Sequence, residues 1–227
     1  MINSLPDYQS CLKRFGIEQF RSKQEQAVCA ILRGEKPLVI MPTGGGKSLC
    51  YQIPALMLFE RQRALTVVIS PLQALMVDQV KDLEEQGLNF CTFINGNLTV
   101  AKRSQRLKEL RCNTYGLLYI SPEQLRSPSI RALLQERPPA LWVIDEAHCI
   151  SQWGHDFRPD YRYLPKFIKE LYHEQSLPLL ALMTATARTT VEKDIRKLFA
   201  KHNLPIGNLI WGRNHVAVTR GKLNGLV

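Results

Sequence analysis

The sequence predicts an α/β domain with a mostly parallel central sheet covered by helices on both faces, a three-layer α/β/α arrangement. Three observations predict it. Short, nearly continuous apolar runs recur along the chain, the pattern of strands buried on both sides. Segments with 3.6-residue periodicity and exposed charge lie between them. The first run leads into a glycine-rich turn that opens a helix. Strand and helix in alternation imply right-handed crossovers and parallel strand neighbours.

Residues 8–15 and 22–33 read as helices ahead of the first strand, PLVIM at 37–41. KSLCYQIPALMLFERQ (47–62) is the helix that the glycine turn opens, and LTVVIS (65–70) is the next strand. LQALMVDQVKDLEEQ (72–86) and VAKRSQRLKELR (100–111) are amphipathic helices on either side of the strand NFCTFI (89–94). GLLYI (116–120), LWVID (141–145) and LLALMT (179–184) complete the strong strands, and NLIWG in the tail is a plausible further one.

The composition is that of a globular protein able to bury a core, with 45% hydrophobic and 22% charged residues among 227. No stretch reaches the roughly 20 apolar residues of a membrane span. The N-terminal MINSLPDYQSCLKRFG lacks an apolar signal core, which predicts a cytoplasmic protein, nucleoid-associated if bacterial. The six cysteines show no CxxC spacing and predict reduced thiols, with neither disulfides nor a zinc site. A net charge of +10, spread along the chain, leaves two readings: a surface that meets nucleic acid, or a basic protein with no such partner.

MPTGGGKSL (41–49) has the strand-to-helix context of a phosphate loop. Backbone N–H groups at Thr43, Gly44, Gly45 and Gly46 can close around phosphate oxygens, and the helix N-terminus favours negative charge. Lys47 would reach the β- and γ-phosphates and Ser48 would ligate Mg²⁺. Met41 stands where the generic pattern has its first glycine. Asp145 and Glu146 end a later apolar strand, where Asp145 can orient the metal and Glu146 can polarise the attacking water. Together these motifs indicate Mg-ATP hydrolysis without saying what the hydrolysis drives.

IDEAHCISQWGHDFRPDY (144–161) places His148, Trp153, His155, Phe157, Arg158 and Tyr161 directly after those acids. A metal site, an exposed binding loop and ordinary packing are the three readings. His148, Cys149 and His155 lack the usual zinc spacings. Gly154, His155, Asp156 and Arg158 would make a costly core. Exposed aromatic faces beside a guanidinium suit sequence-tolerant binding of a single strand.

With these motifs in this order, the chain resembles the RecQ family of superfamily 2 DNA helicases, from about Leu12 to Ala187. The resemblance implies a P-loop NTPase of RecA-like fold over residues 1–205, the first of two such lobes, with 1–34 as N-terminal helices carrying an adenine motif. Residues 206–227 would begin the connection to a second lobe, which the sequence does not contain. FGIEQFRSKQEQA resembles the adenine motif, in which Gln24 would bond the base edge and Arg21 would support the nucleotide. MPTGGGKSLCYQIPAL matches the family's phosphate loop, Met41 included. An aromatic or His often follows FG in the family; Ile17 stands there, so stacking on the base is weaker or supplied elsewhere.

By the same resemblance, VVISPLQALMVDQV (67–80) and YISPEQL (119–125) touch the single-strand backbone, with Ser70, Gln73 and Ser121 as contacts. Thr184 and Thr186 of LMTATA would link nucleotide state to the strand surface. Trp153, His155, Phe157 and Arg158 would form a strand sensor, coupled to Glu146 through His148 and Gln152. The implied activity is ATP-dependent 3'-5' unwinding of single-stranded or partly duplex DNA by the two-lobed enzyme. One lobe alone would bind ATP and DNA with little or no unwinding, because losing an arginine finger costs about 10³–10⁵ in rate. A truncated nucleic-acid-binding or regulatory protein, and another phosphate-loop enzyme such as a small-molecule kinase, are the alternatives.

Overall fold

The computed structural model describes residues 8–21, 23–154, 156–172, 177–185 and 188–212. A seven-stranded sheet runs through it in the order β3-β4-β2-β5-β6-β1-β7, and every pairing is parallel. The strands are β1 (Leu38–Ile40), β2 (Thr66–Ile69), β3 (Cys91–Ile94), β4 (Leu117–Ile120), β5 (Leu141–Ile144), β6 (Leu179–Thr184) and β7 (Leu209–Trp211). Those between the edges are buried throughout or nearly so, which is why their sequences are continuous apolar runs and show no alternation.

Alternate residues of each strand enter different cores. Leu38, Ile40, Trp142 and Ile144 join one cluster; Val39, Leu141 and Val143 join the other. The second cluster lies under α1 (Gln9–Arg14), α2 (Gln24–Leu32), α3 (Lys47–Gln62) and α4 (Gln73–Glu85). The first lies under α5 (Val100–Arg111), α6 (Pro128–Glu136), α7 (Pro159–Tyr172) and α8 (Thr189–Lys201). The predicted three layers are therefore present.

The periodic segments above do not include α6, α7 and α8, yet each has local causes. Pro128 and Pro159 open α6 and α7, a position where the missing N–H costs nothing. Tyr161, Leu164, Phe167, Ile168 and Tyr172 form the buried face of α7, and Val191, Ile195 and Phe199 that of α8. Within the stretch past residue 205, β7 pairs with β1 in register Val39↔Ile210. The Gly212 N–H then donates to the Ile40 carbonyl (2.8 Å), so residues 209–212 lie against the strand that feeds the glycine turn.

Parallel strands point their carboxyl ends the same way. The turns after β1, β2, β4, β5 and β6 therefore gather on one edge, where open α/β sheets place their ligands. No helix among the described residues is long and apolar enough to cross a membrane.

Candidate functional site

The glycine turn after β1 is shaped by close approaches. Gly46 has φ +74°, and a Cβ there would stand 2.2 Å from Gln24 Nε2. A Cβ on Gly45 would stand 2.8 Å from the Pro42 carbonyl oxygen. Both positions exclude side chains, which leaves backbone N–H groups at the opening of α3. Thr43 and Gly44 are exposed at the tip. Lys47 Nζ donates to the Met41 and Pro42 carbonyls (3.2 and 3.5 Å), and an ammonium with three donors keeps one for an incoming anion. Gln24 is buried and bridges two motifs: its Oε1 accepts from the Arg21 N–H (2.7 Å) and its Nε2 donates to the Gly46 carbonyl (3.1 Å).

The two acids after β5 occupy unlike environments. Asp145 is buried, and desolvation together with the neighbouring Glu146 charge pushes its carboxyl up to about 6. Glu146 sits at φ +46°, a left-handed conformation that costs a non-glycine residue about 1–3 kcal/mol. That twist turns its carboxylate toward His148, whose Nδ1 lies 3.2 Å from Oε2. The hydrogen bond with His148 is the main cause of the lowered Glu146 pKa, against a desolvation that raises it; Lys47 and the Ala185 N–H lower it further. Nδ1 also lies 3.1 Å from Thr184 Oγ1, so one ring nitrogen faces both the acid after β5 and the hydroxyl ending β6.

The segment after the acids winds tightly on His148. Ser151 N–H donates to the His148 carbonyl (3.1 Å), and a Cβ on Gly154 would stand 2.4 Å from that same oxygen. Trp153 is 73% exposed, Gln152 is exposed and Phe157 is half-buried. Arg158 ties the loop down, donating to Asp156 Oδ2 (3.2 Å) and to the Pro71 carbonyl (3.0 Å). The loop thus touches both the acid-bearing turn and the turn before α4. His155 and Thr186 lie outside the described residues.

Ser70 and Ser121 are not surface groups here. Ser70 is buried, its N–H is taken by the Ile120 carbonyl (3.0 Å), and its Oγ has no partner among the described residues. Ser121 is buried and its hydroxyl donates to Glu123 Oε1 (2.6 Å). They end β2 and β4, which have strands on both sides and helices on both faces, so these side chains point into packed structure. Gln73, at the start of α4, is half-exposed.

Sequence patterns missed the buried polar groups behind the site. The Tyr161 hydroxyl donates to the Asp145 carbonyl (3.1 Å). Tyr51, Gln52 and Tyr119 are buried behind Ser48. The only available signal was the run Ser48, Tyr51, Gln52 at i, i+3 and i+4 on a helix whose other inward positions are apolar.

A profile of the DEAD/DEAH box helicase family matches residues 21–194. ATP-dependent DNA helicase RecQ of Bacillus subtilis (strain 168) is 48% identical over 184 residues, which is 81% of this chain and 30% of that protein. The probable ATP-dependent DNA helicase RecS of the same organism is 42% identical over 190 residues, 84% of this chain and 36% of that one. The chain therefore spans about a third of the length of these relatives. The solved structure of the DUF1998 helicase MrfA bound to DNA matches with a TM-score of 0.68 at 20% identity, over 93% of this chain and 30% of its own, a likeness of fold. The matched stretch runs from the Arg21–Gln24 segment to the first turns of α8, and on it the chain belongs to the DEAD/DEAH box helicase family, with RecQ-type helicases among its relatives.

Proposed function

We propose that this chain is the ATP-binding lobe of a RecQ-type DNA helicase, and that with a second RecA-like lobe it couples Mg-ATP hydrolysis to movement on single-stranded or partly duplex DNA. The observation that carries the proposal is the contact path from Glu146 through His148 to both Thr184 and the Trp153 loop. A hydrolytic carboxylate is there in touch with an exposed aromatic segment. The charge of +10 suits the polyanionic partner.

In this reading the backbone of residues 43–46 cradles the phosphates, and the third donor of Lys47 reaches a phosphate oxygen. Gln24 reads the adenine edge, and its bond to Gly46 makes an occupied base site felt at the phosphate loop. Glu146, held ionised by His148 and the Ala185 N–H, accepts the proton of the attacking water. Asp145 is short of positive charge where it is buried, which suits a cation, and Ser48 Oγ with substrate phosphates would complete the ligands that Mg²⁺ takes at nucleotide sites. Held by Asp145 and Ser48, Mg²⁺ would supply positive charge to offset what develops on the transferring phosphate. Trp153, His155 and Phe157 stack on bases while Arg158 holds the loop, Gln73 contacts the strand backbone, and Thr186 with Thr184 carries the nucleotide state to that surface.

ATP turnover measured with and without single-stranded DNA, on this chain and on a two-lobed protein that includes it, tests the proposal. DNA should raise turnover only when the second lobe is present, and Lys47→Ala should abolish the stimulated rate. DNA-independent phosphorylation of a metabolite would overturn it. Binding of DNA without stimulated turnover in the two-lobed protein would reduce the chain to a nucleic-acid-binding module.

A further inference from the structure

Two amides meet between the phosphate-loop helix α3 and α4. Gln52 Nε2 donates one N–H to Gln79 Oε1 on α4 (3.0 Å) and the other to the Tyr119 hydroxyl on β4 (3.1 Å). Gln52 and Tyr119 are 6% and 1% exposed, and Gln79 is half-buried. The Tyr119 ring is itself held edge to face against Tyr51, with centroids 6.4 Å apart. Methionine at 52 and phenylalanine at 119 would fill similar volume without burying polar groups. Apolar packing alone therefore does not account for a glutamine here.

Gln52 lies one helical turn after Ser48 within α3. Two residues further on, Pro54 has no N–H, so the helical bond to the Cys50 carbonyl is missing. The backbone ladder is one bond short at the level of Gln52, and the turn carrying Lys47 and Ser48 depends more on what the side chains beside it grip. The start of α4 lies at the strand-facing surface. Leu72, its N-cap, is 50% exposed and Gln73 is half-exposed, while Arg158 of the Trp153 loop donates to the Pro71 carbonyl just before them (3.0 Å).

We propose that Gln52 is a positioning residue that ties the phosphate-loop turn of α3 to α4 and β4. Through its bonds to Gln79 and Tyr119, nucleotide at the loop and a strand along the start of α4 each change the affinity for the other. The role rests on the reading of the nucleotide and strand sites above and extends it. It is a second connection between them, and it uses no residue of the Glu146–His148–Thr184 path.

The test is a linkage measurement on a two-lobed protein that includes this chain. Single-stranded DNA affinity is read by fluorescence anisotropy with and without a non-hydrolysable ATP analogue and Mg²⁺, and the ratio of the two affinities is the coupling. Such couplings are typically about 5–150-fold. Gln52→Met should bring the ratio at least about threefold closer to one, the size of a buried neutral hydrogen bond. DNA affinity without nucleotide, and nucleotide affinity without DNA, should stay within about twofold. Gln79→Met should act in the same direction, and the double variant should lose no more than Gln52→Met alone, because that change already removes the shared bond. An unchanged ratio in Gln52→Met, or losses that add in full in the double variant, would overturn the role: a glutamine that only supports packing lowers urea stability and leaves the ratio alone. If Gln52→Met does not fold, Gln79→Met, at a half-buried position, decides by the same ratio. Wild-type DNA affinity that ignores the analogue would instead overturn the reading beneath it.

Discussion

The turns after β1 and β5 and the loop after them stand in contrast. On the nucleotide side, Gln24, Asp145, His148 and Thr184 are buried, and each has a hydrogen-bond partner within the protein. On the strand side, Trp153 is 73% exposed, and Leu72 and Val77 on and before α4 are 50% and 38% exposed. The first region is set before any ligand arrives, because groups acting on developing charge work best when they need no reorganisation. The second keeps apolar surface in water, which favours whatever covers it. The two are joined where Gly154 closes on the His148 carbonyl with no room for a Cβ, so covering one can be felt in the other.

Three substitutions probe that contrast, from the largest effect to the smallest. Glu146→Gln keeps the shape but removes the base, so DNA-stimulated turnover in a two-lobed protein should fall by about 10²–10⁴-fold while nucleotide affinity changes little; a loss under tenfold in a steady-state assay would remove Glu146 from the proton transfer. Trp153→Ala should leave urea stability within about 0.5 kcal/mol, as expected for an exposed side chain. The same change should weaken single-stranded DNA binding by about 1–3 kcal/mol, read by fluorescence anisotropy, and should uncouple turnover from DNA. Unchanged stimulation would make the contrast one of exposure alone. Arg126→Ala breaks an exposed pair with Asp160 (2.5 Å) and should cost under about 1 kcal/mol of stability; a larger loss on urea unfolding would mean that the surface, too, is tightly set.

Much of this was legible in the chain because it is local. A strand buried on both faces must be apolar along its length, so β1 to β6 declare themselves. A turn that admits no Cβ must be glycine, so the phosphate loop does too. The helices over the far face were harder: α7 carries a strong apolar stripe, but it begins inside a segment crowded with polar and aromatic residues that also suits a binding loop. The serines of the two Ser-Pro turns resemble strand contacts in sequence, whereas the fold buries them. Burial at the end of an interior strand depends on neighbours far away in the chain.

The sequence by itself determined the alternation of strand and helix, the phosphate loop, the acid pair and the family those motifs belong to, because each depends on residues within about one turn or strand of one another. Only the tertiary structure decided which side chains those motifs lean on. Gln24 meets Gly46 across 22 residues, His148 meets Thr184 across 36, and Gln52 meets Tyr119 across 67. Such contacts are set by strand order, and strand order is settled when the whole sheet packs.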